Sequence, residues 1–207
     1  MKKYLVEFIG TFFLVFVVGL CVVSPGAGAM APLAIGTTLM VMVYAGGHIS
    51  GGHYNPAVTL AVWMRGKCDK GDVPAYMVAQ FIAAAVAAFL VGYLKQGSLI
   101  TVLSPNIFQA FLVEVIFTFA LAFVVLNTAT AKGTQGNSFY GLAIGFTVMA
   151  GAYAAGSISG GAFNPAVALG ITLMGLSKFQ NLWMFLVANF LGGALAAIDF
   201  KYVNPKD

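Results

Sequence analysis

Two identical boxes, Asn55-Pro56-Ala57 and Asn164-Pro165-Ala166, are the residues of this chain best suited to chemistry. Asparagine before proline starts a helix. The asparagine oxygen accepts from the first backbone N–H groups, and proline fits the first turn, where no N–H partner is needed. With its oxygen spent on the cap, each side chain keeps an NH2 group, expected free to donate to a passing molecule. Each box follows a glycine-rich stretch, Gly47–Tyr54 and Gly156–Phe163, whose carbonyls are expected to form a row of acceptors. Donors beside such a row can replace the hydrogen bonds of a water or small neutral solute, while helix N-terminal dipoles oppose cations and protons.

Glu7 and Glu114 sit inside apolar runs. An intramembrane carboxylate marks either a proton relay or a hydrogen-bonded anchor. Buried charges persist only when paired or hydrogen-bonded, so the expected role is acceptance of backbone N–H groups from the glycine-rich loops. Gln80 and Asn189 are expected to hydrogen-bond between helices. His48 and His53 are five apart, but no Cys, Asp or Glu beside them completes a metal set. His53 is expected to support its loop by hydrogen-bonding to backbone, with a pH gate as the alternative. Cys21 and Cys68 read as free thiols. With no Ser/His/Asp or Cys/His constellation visible, the chain is not read as an enzyme, and no cofactor or metal is expected.

The elements holding these residues must lie in a bilayer. Of 207 residues, 60% are hydrophobic and 8% charged, and the mean hydropathy is +0.94. A soluble domain carries about 25% charged residues. Scattered lysines, rather than a basic stripe, exclude nucleic acid as a partner. Spanning about 30 Å takes about 20 helical residues. Six stretches come near that length: Tyr4–Val23, Met30–Gly47, Val73–Leu94, Ile107–Asn127, Phe139–Ala155 and Gln180–Lys201. The first follows Lys2-Lys3 but carries Glu7 and has span length, so it reads as a membrane helix rather than a signal peptide. With both termini inside, eight positive residues fall inside and only Lys95 and Lys178 outside, which sets the expected orientation. Asn55–Met64 and Asn164–Leu173 reach about half of the core and read as re-entrant half-helices. Ala84, Ala88 and Gly92, with Ala188, Gly192 and Ala196, are expected to form small-residue packing seams.

Self-comparison organises these elements. A shift of 109 lays Tyr44–Val58 on Tyr153–Val167 with eleven of fifteen residues identical, and a shift of 107 lays Glu7–Val18 on Glu114–Val125 with eight of twelve. The chain is a duplication: one domain over 1–207, with repeats at about 4–95 and about 107–202. Each repeat has three spans, and an odd number of crossings makes the second copy enter inverted. The half-helices then dip in from opposite faces, with Asn55 and Asn164 meeting near the midplane.

Two Asn-Pro-Ala boxes, each after Ser-Gly-Gly, on inverted three-span repeats that begin with a glutamate, resemble the aquaporins, or major intrinsic proteins. The resemblance runs from about Glu7 to about Lys201. It implies an all-α membrane fold of six transmembrane helices and two re-entrant half-helices, one pore per subunit and homotetramers. It also implies that Glu7 and Glu114 anchor the loops. Many members carry arginine directly after the second box; here that position is Val167. Spacing from the boxes gives Ile35, Ala152 and Gly161 as the other filter positions, with Tyr153 in place of Ala152 if the register slips by one. This filter resembles in its valine some plant vacuolar-membrane members. The acidic residue typical of glycerol-selective members near this site is absent, the positions after Val167 being Ala168 and Leu169. The expectation is a passive plasma-membrane channel for water and small uncharged solutes such as ammonia, urea, glycerol or hydrogen peroxide. The alternatives are a proton-coupled transporter using Glu7 or Glu114, and a structural relative that conducts little.

Overall fold

The computed structural model describes residues 1–207 and builds them into eight α-helices joined by turns. The first half holds α1 (Lys2–Val22), α2 (Ala31–Ser50), α3 (Pro56–Met64) and α4 (Asp72–Leu94). The second repeats the order with α5 (Ile107–Val125), α6 (Tyr140–Ser159), α7 (Pro165–Leu173) and α8 (Leu182–Val203). Helices α3 and α7 have nine residues each, about 14 Å at 1.5 Å per residue, so they stop about halfway through a bilayer. The other six are long and apolar enough to cross one.

The second span of each half is longer than its apolar run suggests. Helix α2 continues through Gly47 to Ser50, and α6 through Gly156 to Ser159. Each stops at a glycine in the left-handed region, Gly51 at φ 93° and Gly160 at φ 97°, where any other residue would be strained. Helix α5 ends differently. Past Val125 it widens into a single π turn, Leu126–Thr130. There Asn127, Thr128 and Thr130 each donate back to the carbonyl four residues earlier, at 2.9, 2.7 and 2.6 Å, competing with the regular helical ladder.

Packing follows the duplication. Helix α1 lies on α4 and α5 on α8 within each half; α2 and α6 cross between halves. Each half-helix packs on the last span of the other half, α3 against α8 and α7 against α4. Close approach is possible because the contact faces are small: Ala83, Ala84, Ala87, Ala188, Ala196 and Ala197 are fully buried. Gly192 sits against the Val115 carbonyl and Gly193 against that of Ala57. Gly92 departs from the expected seam; it lies at the surface, and a methyl group added there would meet nothing within 4 Å. Large apolar side chains such as Phe89, Phe108 and Trp183 face outward, as lipid contact requires.

Both chain ends lie on one face. Lys3 pairs with Asp72, which also accepts from the Tyr4 hydroxyl at 2.8 Å. Arg65 pairs with Asp207 at 2.5 Å, stacks on Phe200 and donates to the Thr130 carbonyl at 3.3 Å. On the opposite face the segment after α4 folds back, Leu103 N–H donating to the Leu176 carbonyl at 3.0 Å.

Candidate functional site: a passage between the half-helices

The two asparagines cap their half-helices and also lock them together. Asn55 Oδ1 accepts from Ala57 N at 2.8 Å, and Asn164 Oδ1 from Ala166 N at 2.9 Å. Asn55 Nδ2 donates to the Phe163 carbonyl at 2.9 Å, and Asn164 Nδ2 to the Tyr54 carbonyl at 2.8 Å. The expectation of wholly free NH2 groups is therefore corrected. One proton of each amide is committed to the opposite loop, because the half-helix ends meet closely enough for each carbonyl to reach the other's side chain. One proton per asparagine remains.

Those carbonyls are aimed by strained backbone. Tyr54 and Phe163 both have φ 49°, a left-handed conformation that costs a side-chain-bearing residue of order 1–3 kcal/mol. Hydrogen bonds on both sides hold it. Glu7 accepts four: from Ser50 Oγ at 2.7 Å, His53 N at 2.9 Å, Tyr54 N at 2.7 Å and Gln80 Nε2 at 2.8 Å. Glu114 accepts the equivalent four, from Ser159 Oγ at 2.7 Å, Ala162 N at 2.9 Å, Phe163 N at 2.7 Å and Asn189 Nδ2 at 2.8 Å. Both carboxylates are fully buried, and neither lines either of the two cavities that flank the asparagines.

The non-helical loop before each box is shorter than Gly47–Tyr54 and Gly156–Phe163, since α2 and α6 run on through Ser50 and Ser159. Gly47 O accepts from Gly51 N, and Gly156 O from Gly160 N. With Tyr54 and Phe163 taken by the asparagines, the other carbonyls between each helix end and its box are those of Gly51, Gly52 and His53 in one half, and of Gly160, Gly161 and Ala162 in the other.

A cavity of about 400 Å³ runs to the asparagines from the face opposite the chain ends. Ile35, Ala152, Gly161 and Val167 all line it, together with Asn55, Asn164 and His53. Tyr153 points away and is half exposed on the outside of the bundle. No Asp, Glu, Lys or Arg lines this cavity. A second cavity of about 690 Å³ opens on the face carrying the chain ends, lined by His48, Lys67, Asp69 and Asp72 among others. Cys68, at its rim, has its thiol pushed up to about 11 by burial. His53 and Val125 line both cavities and so mark the neck between them. His53 is buried, with Nδ1 at 3.1 Å from Thr59 Oγ1; its partner is this side chain and not the loop backbone.

Sequence reasoning missed the apolar wall: Leu14 and Val18 from α1, and their repeat equivalents Leu121 and Val125 from α5, line the same cavity. The 107-residue shift carried that signal, since a passage between inverted copies must draw its walls from equivalent positions. It also missed Thr101–Ser104, which cover the mouth and have no repeat counterpart to mark them.

Six helices of membrane-crossing length around a passage with an uncharged outer cavity and fixed donors at its midpoint define a membrane channel. The family model for the major intrinsic proteins matches residues 1–200. The chain is 37% identical to glycerol uptake facilitator protein-like 6 of Lactiplantibacillus plantarum, with all of both chains covered. It is 37% identical to aquaporin NIP1-4 of Oryza sativa (99% of this chain, 77% of that one) and 35% identical to nodulin-26 of Glycine max (100% and 76%). In fold it resembles the aquaglyceroporin of Plasmodium falciparum, with TM-score 0.82 at 22% identity over 99% of this chain and 97% of that one. The chain belongs to the major intrinsic protein family. It is a multi-pass channel for water and small solutes and not an enzyme.

Proposed function

We propose that the protein passively conducts water together with small uncharged solutes, among them glycerol, urea, ammonia and hydrogen peroxide. The observation that carries this reading is the outer cavity, where Ile35, Ala152, Gly161 and Val167 surround the passage without a charged side chain. Two small residues and no arginine leave room for solutes larger than water. The extended similarity to a protein named as a glycerol uptake facilitator supports the same reading.

Ions are excluded in this reading by the cost of dehydration against apolar walls and by the two half-helix N-termini at the midpoint. The remaining amide proton of Asn55 and of Asn164 donates to a passing oxygen, so a water turns its own hydrogens outward there. The asparagines, Pro56, Ala57, Pro165 and Ala166 form the midpoint, Glu7 and Glu114 hold its loops, and the protein acts as a plasma-membrane homotetramer with both ends cytoplasmic. The positive residues on the face of the chain ends support that orientation.

Stopped-flow light scattering on proteoliposomes tests the proposal. Shrinkage in sucrose faster than for empty vesicles, followed in glycerol or urea by fast reswelling, is the expected result. Permeabilities equal to those of empty vesicles overturn it.

A further inference from the structure

The neck histidine belongs to a polar chain present in one half only. In the first half, Thr59 stands six residues after His53; at the equivalent positions of the second half stand Ala162 and Ala168. Thr59 Oγ1 lies 3.1 Å from His53 Nδ1, 3.1 Å from the Asn55 carbonyl and 3.0 Å from Gln80 Nε2. The amides differ accordingly. Asn189, one methylene shorter, bonds Thr118 on α5 at 3.0 Å. Gln80 instead reaches Thr59, and Thr11, the equivalent of Thr118, is left with a buried hydroxyl that has no partner. The first half forgoes one satisfied hydroxyl to serve Thr59.

The proton count at Thr59 bears on the state of the ring. Gln80 Nε2 can only donate, so Thr59 Oγ1 accepts from it. The single threonine proton goes to the Asn55 carbonyl, a regular back-bond to the carbonyl four residues earlier. With the proton placed there, the oxygen's second lone pair faces His53 Nδ1 at 3.1 Å, a contact that becomes a hydrogen bond when Nδ1 carries a proton. In this arrangement all three partners of Thr59 are satisfied. His53 Nε2 has no hydrogen-bond partner in the protein, is not among its buried unpartnered atoms, and belongs to a residue lining both cavities.

We propose that Thr59 and Gln80 are positioning residues that hold neutral His53 as its Nδ1–H tautomer, so that Nε2 is a fixed hydrogen-bond acceptor at the neck. The opposite tautomer would place a third donor next to those of Asn55 and Asn164. With an acceptor there, a water or neutral solute leaving the asparagine donors donates a hydrogen bond from one of its own O–H or N–H groups to Nε2. Passing molecules keep one orientation through the neck, and species without a proton to donate find no partner. This inference rests on the reading of the passage as a conduit.

Nitrogen-15 NMR of histidine-labelled protein in lipid bilayers, above the pH at which the rings protonate, reads the tautomer directly. The chain has two histidines, and the His48→Gln variant assigns the His53 signals. The expected spectrum has a protonated Nδ1 and an unprotonated Nε2, retained in Thr59→Ser and reversed or mixed in Thr59→Val. Thr59→Val should also lower water flux in proteoliposomes by roughly fivefold, about the worth of one neutral hydrogen bond, with Thr59→Ser near wild type. A wild-type His53 protonated on Nε2 overturns the inference even in a conducting channel, as does a Thr59→Val variant with unchanged tautomer and flux. The expected tautomer in a protein that conducts nothing overturns the conduit reading and with it the role given to Nε2.

Discussion

At the residue scale, what passes is governed by what Val167 omits. It is buried on the cavity wall beside Ile35, Ala152 and Gly161, and an arginine there would fill the space and add a positive charge to an uncharged lining. Val167→Arg should therefore lower glycerol and urea permeability by about tenfold or more, roughly 1.4 kcal/mol on the barrier, with a smaller loss for water. Isotonic solute-swelling rates measure it, and unchanged fluxes would remove position 167 from the constriction. Glu7 poses the complementary case, in which the side chain matters for what it holds. Glu7→Gln replaces one oxygen by an NH2 group aimed at donors, leaving two of its four bonds without an acceptor. At about 1–3 kcal/mol for each buried donor so stranded, the variant should unfold at clearly lower temperature in detergent. Glu114→Gln should match it, since its four partners are equivalent.

At the element scale, two glycines decide how closely α2 and α6 cross. A methyl group on Gly145 would lie 2.4 Å from the Gly36 carbonyl oxygen, and one on Gly36 would lie 2.7 Å from that of Gly145. Backbone on backbone cannot yield as a flexible side chain does. Gly145→Leu should separate the helices, displace Ile35 and Ala152 from the passage wall, and cost about 1–3 kcal/mol or more; reduced yield of folded protein with slowed water flux is the expected outcome, read by size-exclusion profile and light scattering. Much of this architecture is legible in the chain. Half-helix starts follow from Asn-Pro, short length from ten apolar residues, and inversion from an odd number of crossings. The cross-bonds from Asn55 to Phe163 and from Asn164 to Tyr54 are not legible, because they join residues 108 and 110 apart whose meeting depends on the closed bundle. The π turn after Val125 escapes for another reason: Asn127, Thr128 and Thr130 look like ordinary polar residues at a span's end, and only the folded helix brings out their back-bonds. His53 is legible as a hydrogen-bonded histidine, but its partner is not, since nothing in the pattern of the half-helix singles out Thr59.

At the scale of the whole molecule, inverted repeats alone do not distinguish a channel from a transporter, which also uses broken helices meeting at the midplane. A proton-coupled cycle needs a carboxylate that reaches water on alternate faces and changes protonation with each turn. Glu7 and Glu114 are fully buried, stand outside both cavities, and each hold four donors. Protonating either would turn an acceptor oxygen into a donor facing another donor and release the loop that aims Tyr54 or Phe163. The two half-helices are moreover tied by reciprocal asparagine bonds, so rocking one half against the other would break both at once. Solute flux through this protein should therefore rise linearly with concentration, without saturation. It should also be indifferent to a proton gradient: collapsing an imposed pH difference with a protonophore should leave glycerol entry into proteoliposomes unchanged. Flux that falls to the empty-vesicle rate when the gradient is collapsed would mean that one of these glutamates moves after all, and that the fourfold anchoring describes only one state of a transport cycle.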